Sequence, residues 1–419
     1  MRDKGRRRGA ASARRAVLGR PHRDGDRWDH GRVRKWGVIA IAGGVGLLVA
    51  ASSAIWVGKG SAASAQGSST RRVSQDVDGV HFLTPYVGWA TEDNDTRMVM
   101  TTDGGSRWRD VSPPLLLRHG WALASGLSGG SFLSRSDFFV SVYDSSLGHL
   151  VPQYLFHSTD GGRRWVRIGS FPDGAGQAWV TFLNDRRGWV AVGNGAAGGS
   201  SSVTVYETTS AGAHWSVVSR SMSLTGRPGT PDNPGNCGDT GLSTSGASHA
   251  PVLWLTGASN FAPCVYRSTD GGKRWTSGGL VDPSRGWGGE AWSPVFSTDS
   301  RGSLVAWRGT PRGSVAAFYS TSNSGRTWVE RRLPSSTPGP VDVVSATTWV
   351  MAAGTKLYLS INGGFSWSSV PTTLDFSGPS MPGSLAFVNT MSGWAIDGSS
   401  QLWHTTNGGH TWALEQLPG

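Results

Sequence analysis

Carboxylates are the side chains here with the widest chemical reach, and they are unevenly supplied. Glutamate occurs only at Glu92, Glu207, Glu290, Glu330 and Glu415. Two acids facing each other across a glycosidic bond act as general acid and as nucleophile or base. The acids placed in loops are Asp93, Asp95, Asp173, Asp185, Asp232, Asp239, Asp282, Glu290 and Asp342. Their spacing along the chain singles out no pair among them. Other chemistries have less support. There is no G-x-S-x-G, no H-E-x-x-H and no phosphate loop, and the ten histidines include no pair at ligand spacing. No metal and no cofactor are expected.

Three further aspartates, Asp103, Asp160 and Asp270, share a context that argues for structure over chemistry. Each is the third residue of an eight-residue string: TTDGGSRW ending at Trp108, STDGGRRW at Trp165 and STDGGKRW at Trp275. Looser copies end at Trp215, Trp328, Trp367 and Trp412, with Ser210, Asn323, Asn362 and Asn407 in the third place. Four of the seven copies lack the carboxylate yet keep a small hydrogen-bonding side chain. The acceptor is needed and the charge is not, which is how a residue capping its own turn behaves. The glycine at the fifth position supplies a backbone angle that a Cβ would oppose. The tryptophan at the eighth begins the next strand and is placed to pack between neighbouring units.

The elements that carry these turns repeat with them. The closing tryptophans are 57, 50, 60, 53, 39 and 45 residues apart. Ahead of each turn comes an apolar run, a short polar turn and a Gly-Trp-aliphatic strand, clearest at Phe82 with Gly88-Trp89, Phe182 with Gly188-Trp189 and Phe387 with Gly393-Trp394. Trp254, Trp307 and Trp349 take the same place in units four to six, and Phe138-Phe139 in unit two. Each unit thus reads as four antiparallel strands, and seven units run from residue 78 to 419. The fold class expected is all-β, a seven-bladed β-propeller of four-stranded blades.

These strings resemble Asp-box (BNR) repeats, and the resemblance covers about 340 of the 419 residues. Asp boxes occur in sialidases, xyloglucan-degrading hydrolases, sortilin-type receptors and propellers of the photosystem II assembly factor group. The units here look most like the last, non-catalytic group. Sialidases also carry a Phe/Tyr-Arg-Ile-Pro segment, which this chain lacks. The resemblance implies a binding or assembly module, with a glycoside hydrolase as the alternative.

Charge is concentrated at one end. Residues 1–35 hold 13 Lys/Arg against four Asp, whereas the remainder holds 26 against 24. The near-neutral body removes the case for nucleic acid despite a net charge of +11. Residues 37–57 contain no charge and would span about 30 Å as a helix, the thickness of a bilayer core. The expected order is a basic cytoplasmic tail (1–36), one transmembrane helix (37–57), a flexible linker (58–77) and an extracytoplasmic propeller (78–419). The competing reading is a signal peptide cleaved near Ala65 and a secreted body. In either compartment the two cysteines, Cys237 and Cys264, are expected to form a disulfide.

Partners of a propeller bind where loops vary in length. Two long connections carry the side chains favoured at binding hot spots: Arg118, His119 and Trp121 in one, and Arg285, Trp287 and Glu290 in the other. A protein or a glycan is the expected partner there. Trp121 has a second reading, as the first residue of a core strand.

Overall fold

The computed structural model describes residues 76–147, 151–174, 177–197, 200–222, 238–245, 251–259, 263–280, 289–310, 313–335, 339–376 and 384–418. The basic tail, the 37–57 segment, the linker up to residue 75, Cys237, Arg285 and Trp287 lie outside these residues. Among the described residues no helix is long and apolar enough to cross a membrane.

The described chain is built from antiparallel sheets. Val77–Phe82, Gly88–Glu92, Arg97–Thr101 and Trp108–Asp110 form a four-stranded meander, and so do Ala178–Phe182, Gly188–Ala197, Ser200–Thr208 and Ser216–Met222. The last sheet repeats the order with Leu385–Phe387, Gly393–Ile396, Leu402–Thr405 and Ala413–Leu414. In the second unit the inner strand is split into Trp121–Leu123 and Ser131–Phe132. In the sixth, Trp349–Ser360 is one continuous element whose partner changes at Gly354, a residue in the left-handed backbone region (φ 55°).

Units four and five depart from separate blades, because they share one nine-stranded sheet. Gly289–Ala291 joins them, pairing with Val252–Ser259 of unit four on one side and Gly302–Thr310 of unit five on the other. Among the described residues, the strands therefore lie in six sheets.

A repeated aromatic contact explains the Phe…Gly-Trp pattern. Phe182 lies across its hairpin from Gly188, and a Cβ on that glycine would lie 2.6 Å from the phenyl ring. Phe387 and Gly393 repeat the relation at the same 2.6 Å. Glycine is thus the space the ring occupies. The tryptophan after it is fully buried at Trp89, Trp189 and Trp394, and Trp254 and Trp349, which follow Leu253 and Thr348 instead of a glycine, are fully buried as well. At roughly 25 cal/mol per Å², an indole hiding about 200 Å² contributes on the order of 5 kcal/mol as an upper bound. Unit five is an exception to the expected pattern. Ser303, not Trp307, follows the glycine (Gly302) that faces Phe296, and Trp307 stands four residues further along, half-buried.

The first and last units pack together. The Phe82 and Trp394 rings stack with centroids 3.4 Å apart, and Val77, Val80 and Leu417 share their cluster. Val77 N–H donates to the Ser400 carbonyl at 3.0 Å.

All seven eight-residue turns make the same bonds. The hydroxyl at the first position accepts the fifth-position N–H, as Ser158 does from Gly162 at 2.7 Å and Thr405 from Gly409 at 2.9 Å. The third side chain accepts the seventh-position N–H, as Asp160 does from Arg164 at 2.8 Å and Ser210 from His214 at 3.0 Å. The three asparagine copies add a bond of their own. Asn323, Asn362 and Asn407 each donate Nδ2 to a Thr or Ser hydroxyl at the seventh position, 2.8 Å away. The three aspartate copies carry arginine there instead: Arg107, Arg164 and Arg274.

Candidate functional site

Strand alternation puts the connections between units, and those between second and third strands, at one end of the sheets. The eight-residue turns close the other end, hydrogen-bonded to the hairpins beside them, as Gly161 is to Ser136. The loop-bearing end is where the candidate side chains belong.

In the second unit Arg118 and His119 are exposed on the connection, and Trp121 is half-buried at the start of the split inner strand. Its ring lies 5.7 Å from that of Tyr154 and packs on the core of the first two units. Of the candidate residues on the other connection, only Glu290 lies among the described residues. Glu290 lies opposite Ala258 on one side and Trp307 on the other, and Trp292 and Trp307 are 6.4 Å apart. Burial pushes the Glu290 carboxyl up, with the Trp292 indole opposing. The two candidate groups stand on units two and five.

Other carboxyls gather in the first unit. Asp93, Asn94 and Asp95 have φ of 58°, 62° and 59°, three successive residues in the left-handed region without a glycine. Such conformations are costly and are held by their surroundings. Asp78 Oδ2 accepts the Asp95 N–H at 2.9 Å, the Asp76 carbonyl accepts the Asp93 N–H at 3.0 Å, and the Asp95 carbonyl accepts the Leu123 N–H at 2.9 Å. Burial pushes the Asp78 carboxyl up to about 7, and the charges of Asp95 and Asp76 add to the effect. Burial raises the Asp95 carboxyl too. Beside them Arg97 bonds Glu92 at 3.2 Å and Asp110 at 3.0 Å. Asp95 was among the loop acids; Asp78 sits within an inner strand, and no spacing marks it.

Asp342 has a different task from a loop acid. It lies in the strand Val341–Val343, and its Oδ2 accepts the Phe387 N–H of the last unit at 2.6 Å. Burial pushes its carboxyl up to about 7. Ser131 does the equivalent work between units two and three, accepting the Phe182 N–H at 3.0 Å.

Between the halves of the split inner strand, Leu127–Gly129 forms a 3-10 turn that reaches past its own unit. It packs against inner strands of units one, three and four. A Cβ on Gly129 would lie 2.6 Å from the Ala178 carbonyl of unit three. The turn fills space between inner strands that the sequence assigned to an open connection.

No family model matches the chain. One curated relative, a probable oligoxyloglucan-reducing end-specific xyloglucanase of Neosartorya fischeri, is 28% identical over 163 residues, covering 35% of this chain and 20% of the relative. The chain therefore spans about a fifth of that relative's length. Among solved structures, a GH74 xyloglucanase from Xanthomonas campestris superposes with a TM-score of 0.58 at 15% identity, covering 82% of this chain and 55% of that one. YCF48 from Cyanidioschyzon merolae superposes with a TM-score of 0.50 at 17% identity, covering 80% and 94%. With the antiparallel meanders, these likenesses place the chain in the β-propeller class. Among the described residues no group of His, Cys, Asp and Glu is arranged to hold a metal ion.

Proposed function

We propose that the chain is a membrane-anchored, extracytoplasmic seven-bladed propeller of the Asp-box type. Its loop-bearing end binds a protein or a cell-surface glycan without turning it over. A role in assembling an envelope complex fits this reading. The observation that carries it is what the buried acids do: Asp78 and Asp342 each accept a main-chain N–H of another element. A carboxylate held in that way orders the fold, with one of its two oxygens already engaged by the main chain. The 3-10 turn among the inner strands also leaves less room there for a polymer. The 37–57 segment and a Cys237–Cys264 disulfide belong to the same reading, as does a binding surface built from Arg118, His119, Trp121, Arg285, Trp287 and Glu290.

A second reading, glycoside hydrolysis, is favoured by the Asp78–Asp95 pair. Both carboxyls are raised, as a general acid requires, and the partial relative is itself named a xyloglucanase. One experiment separates the two. The full-length chain is incubated with xyloglucan oligosaccharides and a broader glycan panel, reading retained ligand and new reducing ends together. The expected result is no release above blank. Release that disappears in Asp78→Asn or Glu290→Gln would establish the hydrolase instead.

A further inference from the structure

We infer that the cleft between the first and second units, at the turn end, binds a tetrahedral oxyanion, free or as a phosphate or sulfate monoester. The cleft has a volume of about 350 Å³ and is lined by Arg109, Arg135 and Arg163 together with Thr102, Asp160 and Gly161. The three arginines come from three different segments: an outer strand of unit one, a hairpin turn of unit two and its eight-residue turn. The site lies at the opposite end from the loop-bearing surface, so it does not depend on the reading above.

Three arginines elsewhere in the fold find carboxylates. Arg97 pairs with Glu92 and Asp110, Arg187 with Glu207, and Arg308 with Glu330. In the cleft this compensation is missing. Among the described residues neither Arg135 nor Arg163 forms an ion pair, and both are exposed. Arg109 is half-buried and crosses from unit one to the Gly161 carbonyl of unit two. Burial, reinforced by the charge of Arg163, pushes the Arg109 guanidinium down. The only acid lining the cleft, Asp160, is engaged by Ser158 and the Arg164 N–H. Three positive charges against one negative leave a surplus of two, which a dianion matches and a carboxylate does not. Arginines lining one cleft from three segments suit the several oxygens of phosphate or sulfate. The volume is that of roughly a dozen water molecules, so it admits an oxyanion with its ester group attached.

The test uses the full-length chain and inorganic phosphate, sulfate, phenyl phosphate and acetate as probes, each against sodium chloride at equal ionic strength. Phosphate and sulfate are expected to raise the thermal unfolding midpoint through a single saturable site. Arg135→Ala and Arg163→Ala should each weaken binding at least about tenfold, while Arg186→Ala, an exposed arginine on unit three, should not. Arg109 is left intact because it ties the two units together. Tighter binding of phenyl phosphate than of phosphate assigns the site to a monoester, and equal binding assigns it to the free ion. No shift beyond chloride, a shift that survives both arginine variants, or acetate binding as tightly as phosphate would each overturn the inference.

Discussion

Trp165 donates its indole N–H to the main-chain carbonyl of Val111, 3.2 Å away and 54 residues earlier in the chain. The relation is repeated around the fold. Trp215 donates to the Ile168 carbonyl at 2.8 Å, Trp328 to that of Gly278 at 2.8 Å and Trp367 to that of Arg332 at 3.2 Å. Trp275 and Trp412 reach the hydroxyls of Ser219 and Thr372. Six of the seven turns thus end in a side chain bonded to the unit before, coupling local geometry to packing between units. Trp108 differs: its buried Nε1 has no partner. Trp215→Phe is therefore expected to cost about 1–3 kcal/mol more than Trp108→Phe. Both variants replace an indole by a phenyl ring, but only the first leaves a carbonyl without its donor. Guanidinium unfolding of the two variants measures the difference, and equal losses would show that packing area alone decides.

The turn hydroxyls give an independent check. Thr405 is buried, accepts the Gly409 N–H at 2.9 Å and donates to Asn407 at 3.0 Å. Thr405→Val keeps the shape and removes both bonds, so a loss of about 1–3 kcal/mol is expected. Thr405→Ser should lose less than about 1 kcal/mol, since the hydroxyl remains and serine fills this position at Ser158, Ser268 and Ser360. Chemical denaturation of the pair separates hydroxyl from methyl, and similar costs for both would discount the bond.

The readable parts of the fold were those with short-range causes. Gly188 makes room for Phe182 six residues away, and Ser158, Asp160 and Gly162 lie within one turn, so their pattern survives in the sequence. What could not be read depends on contacts between distant segments. Trp307 looked like the core tryptophan of unit five, but the register set by Phe296 and Gly302 puts Ser303 in that place. There Ser303 Oγ accepts the Trp349 indole N–H at 2.9 Å and donates to the Ala346 carbonyl at 2.9 Å. Gly289–Ala291 pairs on both sides because two units meet there, which neither unit's own residues announce. Of the candidate residues, Trp121 and Glu290 are legible in the sequence as an aromatic and an acid in long connections. Asp78, Arg109, Arg135 and Arg163 are not, because only the packing of the first two units gives them common neighbours.

The buried titratable groups make opposite contributions to stability as pH changes. The Asp342 carboxyl rises from its ordinary 3.8 to about 7 in the folded chain, so between those values the native state holds the extra proton. Its contribution is present at low pH and is lost as pH climbs toward 7. His81, half-buried and stacked on Phe132 with centroids 4.7 Å apart, falls from 6.5 to about 4 because its ring is desolvated. It stays neutral while the unfolded chain protonates, so its contribution is lost as pH drops below 6.5. From about 4 to 6.5 the two oppose each other, and above 6.5 the carboxyls act alone. Asp342→Asn retains an oxygen for the Phe387 N–H and removes the ionisation. The fall in stability between pH 5 and 8 should therefore shrink, by at most roughly 3 kcal/mol, because only about two pKa units at about 1.4 kcal/mol each lie inside that window. Part of the fall should remain, since Asp78 titrates in the same direction. The slope is the informative quantity, because the new amide also places a buried NH2 that alters stability equally at every pH. An unchanged slope would mean that Asp342 is already ionised in the fold, held by its bond to Phe387.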